Sequence, residues 1–152
     1  AKNEGKELLY YIKKSNLEAI SQLDVCHSES LNYWPQLLLY KDLYFENPNA
    51  IFILNKREPN SLLNSLNKWG DLTDRIFKFN PELFEGVNGD NRNDKLLNLI
   101  KNHYTEVNNF FVTQNPNSNY IEYDIVNDDI RKLSTYINLK DINKFPHKNI
   151  NK

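Results

Sequence analysis

The stretch Asn49-Ala50-Ile51-Phe52-Ile53-Leu54-Asn55-Lys56-Arg57-Glu58-Pro59 decides how the rest of the chain is read. Ala50 to Leu54 is a continuous apolar run of strand length, which predicts a strand covered on both faces, as in a parallel sheet. After Arg57-Glu58-Pro59, the residues Leu62, Leu63, Leu66 and Trp69 recur with helical period, and Gly70 follows in the position of a C-cap. The unit is therefore strand, tight turn, helix. In open α/β sheets ligands bind beyond the carboxyl ends of strands, where the following helix offers unpaired N–H groups and a partial positive charge. Arg57 occupies such an end, and its planar guanidinium can donate two parallel hydrogen bonds to a phosphate. Ser61 and Ser65 are four residues apart and share a helix face, so a hydroxyl from that face can join Arg57 on one anion. Spacing alone is also met by an arginine paired with a surface carboxylate beside two solvated serines.

Upstream, Leu8, Leu9, Tyr11 and Ile12, then Leu17, Ile20 and Leu23, recur at helical spacing. Asp24-Val25-Cys26-His27-Ser28-Glu29-Ser30 is a short apolar step into hydroxyl and acidic residues and reads as a strand end or loop. A helix is expected from about Trp34 to Glu46, because Pro35 is tolerated only in a first turn and Asn47-Pro48-Asn49 breaks the pattern. Downstream, Asn80 to Asp94 reads as a long loop with one helical turn at Glu82 to Glu85. Leu96, Leu97, Ile100, Tyr104, Val107, Phe110 and Phe111 mark the longest helix, ended by Gln114-Asn115-Pro116. Tyr120 to Val126 alternates as a second strand, and Asp128-Asp129 open a last helix through Leu139.

The length of 152 residues fits one domain, and neither a repeat nor a linker divides it. Lys+Arg and Asp+Glu nearly cancel, leaving a formal charge of −1, so no whole-molecule field favours nucleic acid or an anionic membrane. No stretch approaches the roughly 20 apolar residues of a membrane span. The single cysteine, Cys26, excludes an internal disulfide framework and a Cys-rich zinc site, and it fits a reducing, cytoplasmic compartment. Three dispersed His give no zinc spacing, so no metal is expected. The absence of any Met reads as a chain that is processed, trimmed or incompletely represented.

The Asn49 to Pro59 segment, followed at the right distance by Ser65, resembles the sulfotransferase family, in particular its bacterial and viral sulfotransferase-like branch. There a strand, an Arg-x-Pro turn and a Ser eight residues after the Arg hold the 3′-phosphate of the donor. The resemblance runs from about Leu37 to Asn149. It includes Tyr40-Lys41-Asp42-Leu43 before the strand and Trp69 after it. It continues through His103-Tyr104, Val107, Phe110-Phe111, Tyr120 to Val126, Asp129 to Leu133 and Phe145-Pro146-His147-Lys148-Asn149. It implies an α/β fold of the P-loop-like, three-layer α/β/α kind, helix-rich, with a short parallel sheet. It also implies 3′-phosphoadenosine 5′-phosphosulfate as co-substrate, with Arg57 and Ser65 as its 3′-phosphate ligands.

The family's second signature, a strand followed by Pro-Lys-x-Gly-Thr-Thr, cradles the 5′-phosphosulfate with backbone amides, a Lys and hydroxyls. Ala1-Lys2-Asn3-Glu4-Gly5-Lys6-Glu7 is the nearest segment here, with Lys2, Gly5 and Lys6 as candidate contacts. It departs from the pattern: Lys2 is one residue too far from Gly5, and Lys6 and Glu7 stand at the hydroxyl positions. Either the loop is degenerate or residues belonging to it, with the first strand, are absent from this sequence; an ordinary charged helix N-terminus fits the same residues.

Sulfuryl transfer needs in-line geometry and usually a base for the acceptor's proton. His27 follows the Asp24-Val25-Cys26 step, where the resemblance implies the catalytic His or acid, with Glu29 and Asp24 as alternatives; a His beside a Ser-Glu-Ser turn also serves as a cap or a surface residue. The expected activity is transfer of a sulfuryl group to a hydroxyl or amine of a small molecule or carbohydrate. The alternative is a catalytically inactive relative that keeps the fold as a binding module.

Overall fold

The computed structural model describes residues 25–27, 30–33, 35–81, 84–86, 88–134 and 136, those before Leu37, and Phe79, by their backbone only. The chain is a mixed α/β protein, rich in helix, around a short parallel strand pair. A hairpin of β1 (Val25–His27) and β2 (Ser30–Tyr33) comes first, paired antiparallel. The expected strand end at Val25-Cys26 is thus one strand of an antiparallel pair.

The helix expected to run unbroken to Glu46 is divided at Leu39 into α1 (Pro35–Leu38) and α2 (Tyr40–Glu46). Its break after Glu46 is where Asn47 was expected to place it. The Asn47 N–H bonds back to the Leu43 and Tyr44 carbonyls, and its side-chain amide also donates to Leu43, so the last carbonyls are not left bare. Tyr40 and Leu43 are the buried residues of α2.

Strand β3 spans Phe52–Lys56, two residues later than the apolar run alone indicates. Ala50 donates to the Asn47 carbonyl and is still part of the turn leaving α2. Pairing then begins where Phe52 N–H reaches the Asn119 carbonyl at 2.7 Å. From there β3 runs parallel to β4 (Tyr120–Asp124), in the register Phe52 to Tyr120 through Lys56 to Asp124. Side chains alternate along a strand, so Phe52, Leu54 and Lys56 share a face with Tyr120, Glu122 and Asp124.

That face lies under α5 (Arg92–Asn108) and the π-helical segment Asn109–Gln114 that continues it. Tyr40, Leu54, Val107, Phe110 and Phe111 form its buried core, with Tyr44, Phe52, Tyr104 and Tyr120 packed around them. The π turn, in which Asn115 N–H reaches back to the Phe110 carbonyl, lets the consecutive Phe110 and Phe111 both point inward, 4% and 2% exposed. On the opposite face, Ile121 and Tyr123 of β4 pack on Leu133 of α6 (Arg131–Ser134). Ile51 and Ile53, by contrast, remain 42% and 39% exposed. The expectation that β3 is covered on both faces is therefore corrected: its inward residues alternate as in a half-buried strand, and the outward isoleucines only make the run look continuous.

Helix α3 (Pro59–Asn67) follows β3 after a two-residue turn, and α4 (Leu72–Phe79) follows Gly70, which takes a φ of 52°. That left-handed conformation costs glycine little, so Gly70 turns the chain between the two helices. The sequence pattern sets no expectation for α4, yet Ile76 is 3% exposed. It joins Leu63 of α3, Phe84, and Leu96 and Ile100 of α5 in a second core cluster. Tyr104 touches both clusters. The loop before α5 is shorter than the expected Asn80 to Asp94, because α5 starts at Arg92. The final helix is described only through Ser134, and among the described residues no helix is long and apolar enough to cross a membrane.

Candidate functional site

Arg57 lies immediately after Lys56, the last residue of β3, and before the N-cap of α3. Its place beyond the carboxyl end of a parallel strand is the one expected from the sequence. The Arg57 peptide N–H donates to the Tyr104 hydroxyl at 3.3 Å, which fastens the turn to α5 across 47 residues of sequence. The Arg57 Nε is buried and has no hydrogen-bond partner among the described residues. Buried polar atoms are nearly always paired, so this guanidinium N–H is a donor with a hydrogen bond still to make.

The helix N-terminus beside it is not open in the way the strand-turn-helix pattern implies. Glu58 caps α3 with its own carboxylate, accepting from the N–H of Asn60 at 2.9 Å and of Ser61 at 2.7 Å. These backbone hydrogen bonds, first that from Asn60 and then that from Ser61, hold the fully exposed Glu58 carboxyl down at about 2. The two amides expected to face a ligand are therefore satisfied within the chain. An anion at this turn has the Arg57 side chain and hydroxyls to bind, not the first amides of α3. Ser65 is half-buried on α3 one turn beyond Ser61, and no hydrogen bond among the described residues joins it to Arg57.

Around the corner from Arg57 the same end of the sheet carries a polar network that the sequence pattern does not single out. Lys56 Nζ pairs with Glu122 Oε2 at 2.9 Å, both side chains about a third exposed. Glu122 Oε1 also accepts from the Asn108 amide and from the Tyr120 hydroxyl. Burial raises the Glu122 carboxyl, but the Lys56 and Asn108 hydrogen bonds outweigh it and leave the group below its ordinary value. The Lys56 ammonium also lies 5.7 Å from the centre of the Tyr104 ring. Burial pushes the Tyr104 hydroxyl up, against the Arg57 N–H hydrogen bond that lowers it, so it remains a neutral phenol at physiological pH. Lys56, Tyr104, Thr105, Asn108, Asn109 and Thr113 line an open cleft of about 380 Å³ along α5.

Comparison with protein-family models, with curated proteins and with solved structures finds no match. The arrangement at the end of β3 therefore stands on its own geometry.

Of the remaining candidates, Lys2, Gly5, Lys6, Asp24 and Glu29 lie outside the described residues, as does the side chain of His27, whose backbone closes β1. Tyr104, Lys56 and Glu122 are the residues that spacing did not single out. Tyr104 reads as one more apolar position of a long helix, since helical periodicity does not distinguish a phenol that packs from one whose hydroxyl is used. A signal was present in Glu122, which interrupts the strand pattern at a position sharing its parity with the inward Tyr120, opposite a strand that ends in Lys56.

Proposed function

We propose that this chain is a sulfotransferase-like domain of the P-loop-like, three-layer α/β/α kind. In this reading it moves a sulfuryl group from 3′-phosphoadenosine 5′-phosphosulfate to a hydroxyl or amine of a small molecule or carbohydrate. The observation that carries the reading is the buried, unpartnered Nε of Arg57 at the carboxyl end of a parallel strand. A phosphate oxygen there satisfies that donor and neutralises a cation next to Lys56, whose own charge is already matched by Glu122. Ser65 supplies the hydroxyl expected from the same turn of sequence. Tyr104 acts through the backbone, setting the angle at which the turn presents Arg57.

The direct test is calorimetric titration with adenosine 3′,5′-bisphosphate, the donor without its sulfuryl group. Wild type binds it, Arg57→Ala loses most of the affinity, and Ser65→Ala loses part; a flat titration of the wild-type chain removes the proposal. Transfer of labelled sulfuryl to a panel of acceptors then separates the enzyme from a relative that only binds, because the second gives binding without turnover.

A further inference from the structure

The loop leading into α5 carries a covalent chemistry that the donor-site reading does not use. Gly89 is the one glycine in the sequence preceded by asparagine, since Gly5, Gly70 and Gly86 follow Glu4, Trp69 and Glu85. An Asn-Gly peptide is the pair in which a backbone nitrogen reaches the preceding side-chain amide with least steric hindrance, because glycine has no Cβ and a wide range of φ and ψ. The structure adds to this. A Cβ built on Gly89 meets nothing within 4 Å, so an alanine there has room and Gly89→Ala tests the nitrogen without a clash. Asn88 Oδ1 accepts from the N–H of Asp90 at 3.0 Å and of Asn91 at 3.2 Å. In return the Asn88 N–H donates to Asn91 Oδ1 at 3.0 Å, the reciprocal arrangement of a capping box just ahead of α5.

The two N–H groups on Asn88 Oδ1 stand where negative charge develops when its Cγ is attacked. That is the placement by which paired amides stabilise a tetrahedral oxyanion. The nearby N-terminus of α5 contributes the same sign of partial charge.

We propose that Asn88 is a self-modification site, at which the chain converts its own side-chain amide to a succinimide and then to isoaspartate and aspartate. The Gly89 nitrogen gives its proton to solvent base and bonds to Asn88 Cγ, placing charge on Oδ1. The intermediate collapses by breaking the Cγ–Nδ2 bond, and the nitrogen takes up a proton and leaves as ammonia. Water then opens the ring at one carbonyl or the other, so the sum is one water consumed and one ammonia released, with no oxidation or reduction. Opening to aspartate leaves a carboxylate in the same box, where the two N–H groups and the helix end favour it. Opening to isoaspartate inserts a carbon into the backbone and breaks the box, freeing the amides of Asp90 and Asn91. The products therefore move the N-terminus of α5 in opposite directions.

The test is incubation of the full chain at neutral and at mildly alkaline pH, followed by peptide mapping with fragmentation that separates isoaspartate from aspartate. The expected result is the mass gain of amide-to-acid conversion at Asn88 ahead of every other asparagine, faster at the higher pH, and lost in Asn88→Gln. Gly89→Ala retains the box and loses most of the signal. A short synthetic peptide covering residues 86–92 gives the rate without the folded box. Conversion in the folded chain at or above the peptide's rate supports the oxyanion role. An Asn88 that stays intact while the peptide converts shows that the box protects the amide, and overturns the proposal, as does earlier conversion at another asparagine. The Asn88→Asp variant melting at or above wild type, with the isoaspartate fraction melting below it, reads out the two products.

Discussion

The two ends of β3 do opposite work. At its start, Phe52 stands in an aromatic cluster: Phe111 is 5.0 Å from Phe52 and stacks on Tyr120 at 4.7 Å, while Tyr44 meets Phe110 edge to face at 5.5 Å. At its finish, four residues along, Lys56 and the Arg57 that follows it enter a network of Glu122, Asn108 and Tyr104 in which Arg57 Nε has no partner among the described residues. The apolar end is closely packed by aromatic rings, so its residues serve stability. The polar end leaves Arg57 Nε without a partner among the described residues, which is why the proposed site is put there.

Substitutions at the two ends should separate in the same way. The largest effect is expected for Phe111→Ala at the closed end. A fully buried aromatic is lost and a cavity opens between α5 and the sheet, at a cost of about 3–5 kcal/mol in denaturant unfolding. If that variant were as stable as wild type, the distinction between the ends would fail. At the open end, Tyr104→Phe removes the acceptor of the Arg57 N–H and should cost about 1 kcal/mol. In calorimetry it should weaken adenosine 3′,5′-bisphosphate binding less than Arg57→Ala does, because it loosens the turn without removing the cation.

Arg57→Ala itself is expected to leave the melting temperature close to wild type, since it deletes a donor, Nε, that no described residue pairs. A marked loss of stability in that variant would return Arg57 to the structural side of the comparison.

The smallest effects are pH-dependent. Glu58 has its carboxyl lowered to about 2 from 4.5, so its cap stabilises the fold above the unfolded value and that contribution is lost as pH falls through the folded one. Glu58→Gln should therefore melt below wild type at neutral pH, and the gap should close on acidification across that window. His103 is shifted the same way by burial, which opposes its charged form and outweighs the raising influence of Glu106. Below its ordinary value of 6.5 the unfolded chain takes up a proton that the fold does not, so stability falls there as pH drops, and His103→Phe should flatten that part of the profile.

Much of this is legible in the sequence. The strand, turn and helix around Arg57, the long helix ended at Asn115-Pro116 and the second strand at Tyr120 are each marked by local signals that act within a few residues. Those signals are apolar period, a proline that restricts the residue before it, and a polar pair that breaks the helix. Helix α4 is not legible there because its apolar positions acquire meaning only from Leu63, Leu96 and Ile100, which lie on other helices. The exposure of the outward face of β3 is hidden for a related reason: Ile51 and Ile53 are apolar whichever neighbour they have or lack.

The amino-acid sequence by itself determined which segments are helix and strand around the site, and that an arginine follows the first parallel strand. Backbone propensity and side-chain period are properties of a chain's near neighbours. Only the tertiary structure decided which groups surround that arginine. It carried Tyr104 across 47 residues to the Arg57 N–H, matched Lys56 with Glu122, and gave the first amides of α3 to Glu58, leaving Nε unpaired. Hydrogen-bond satisfaction depends on which distant groups arrive at the same place, and that is a property of the fold.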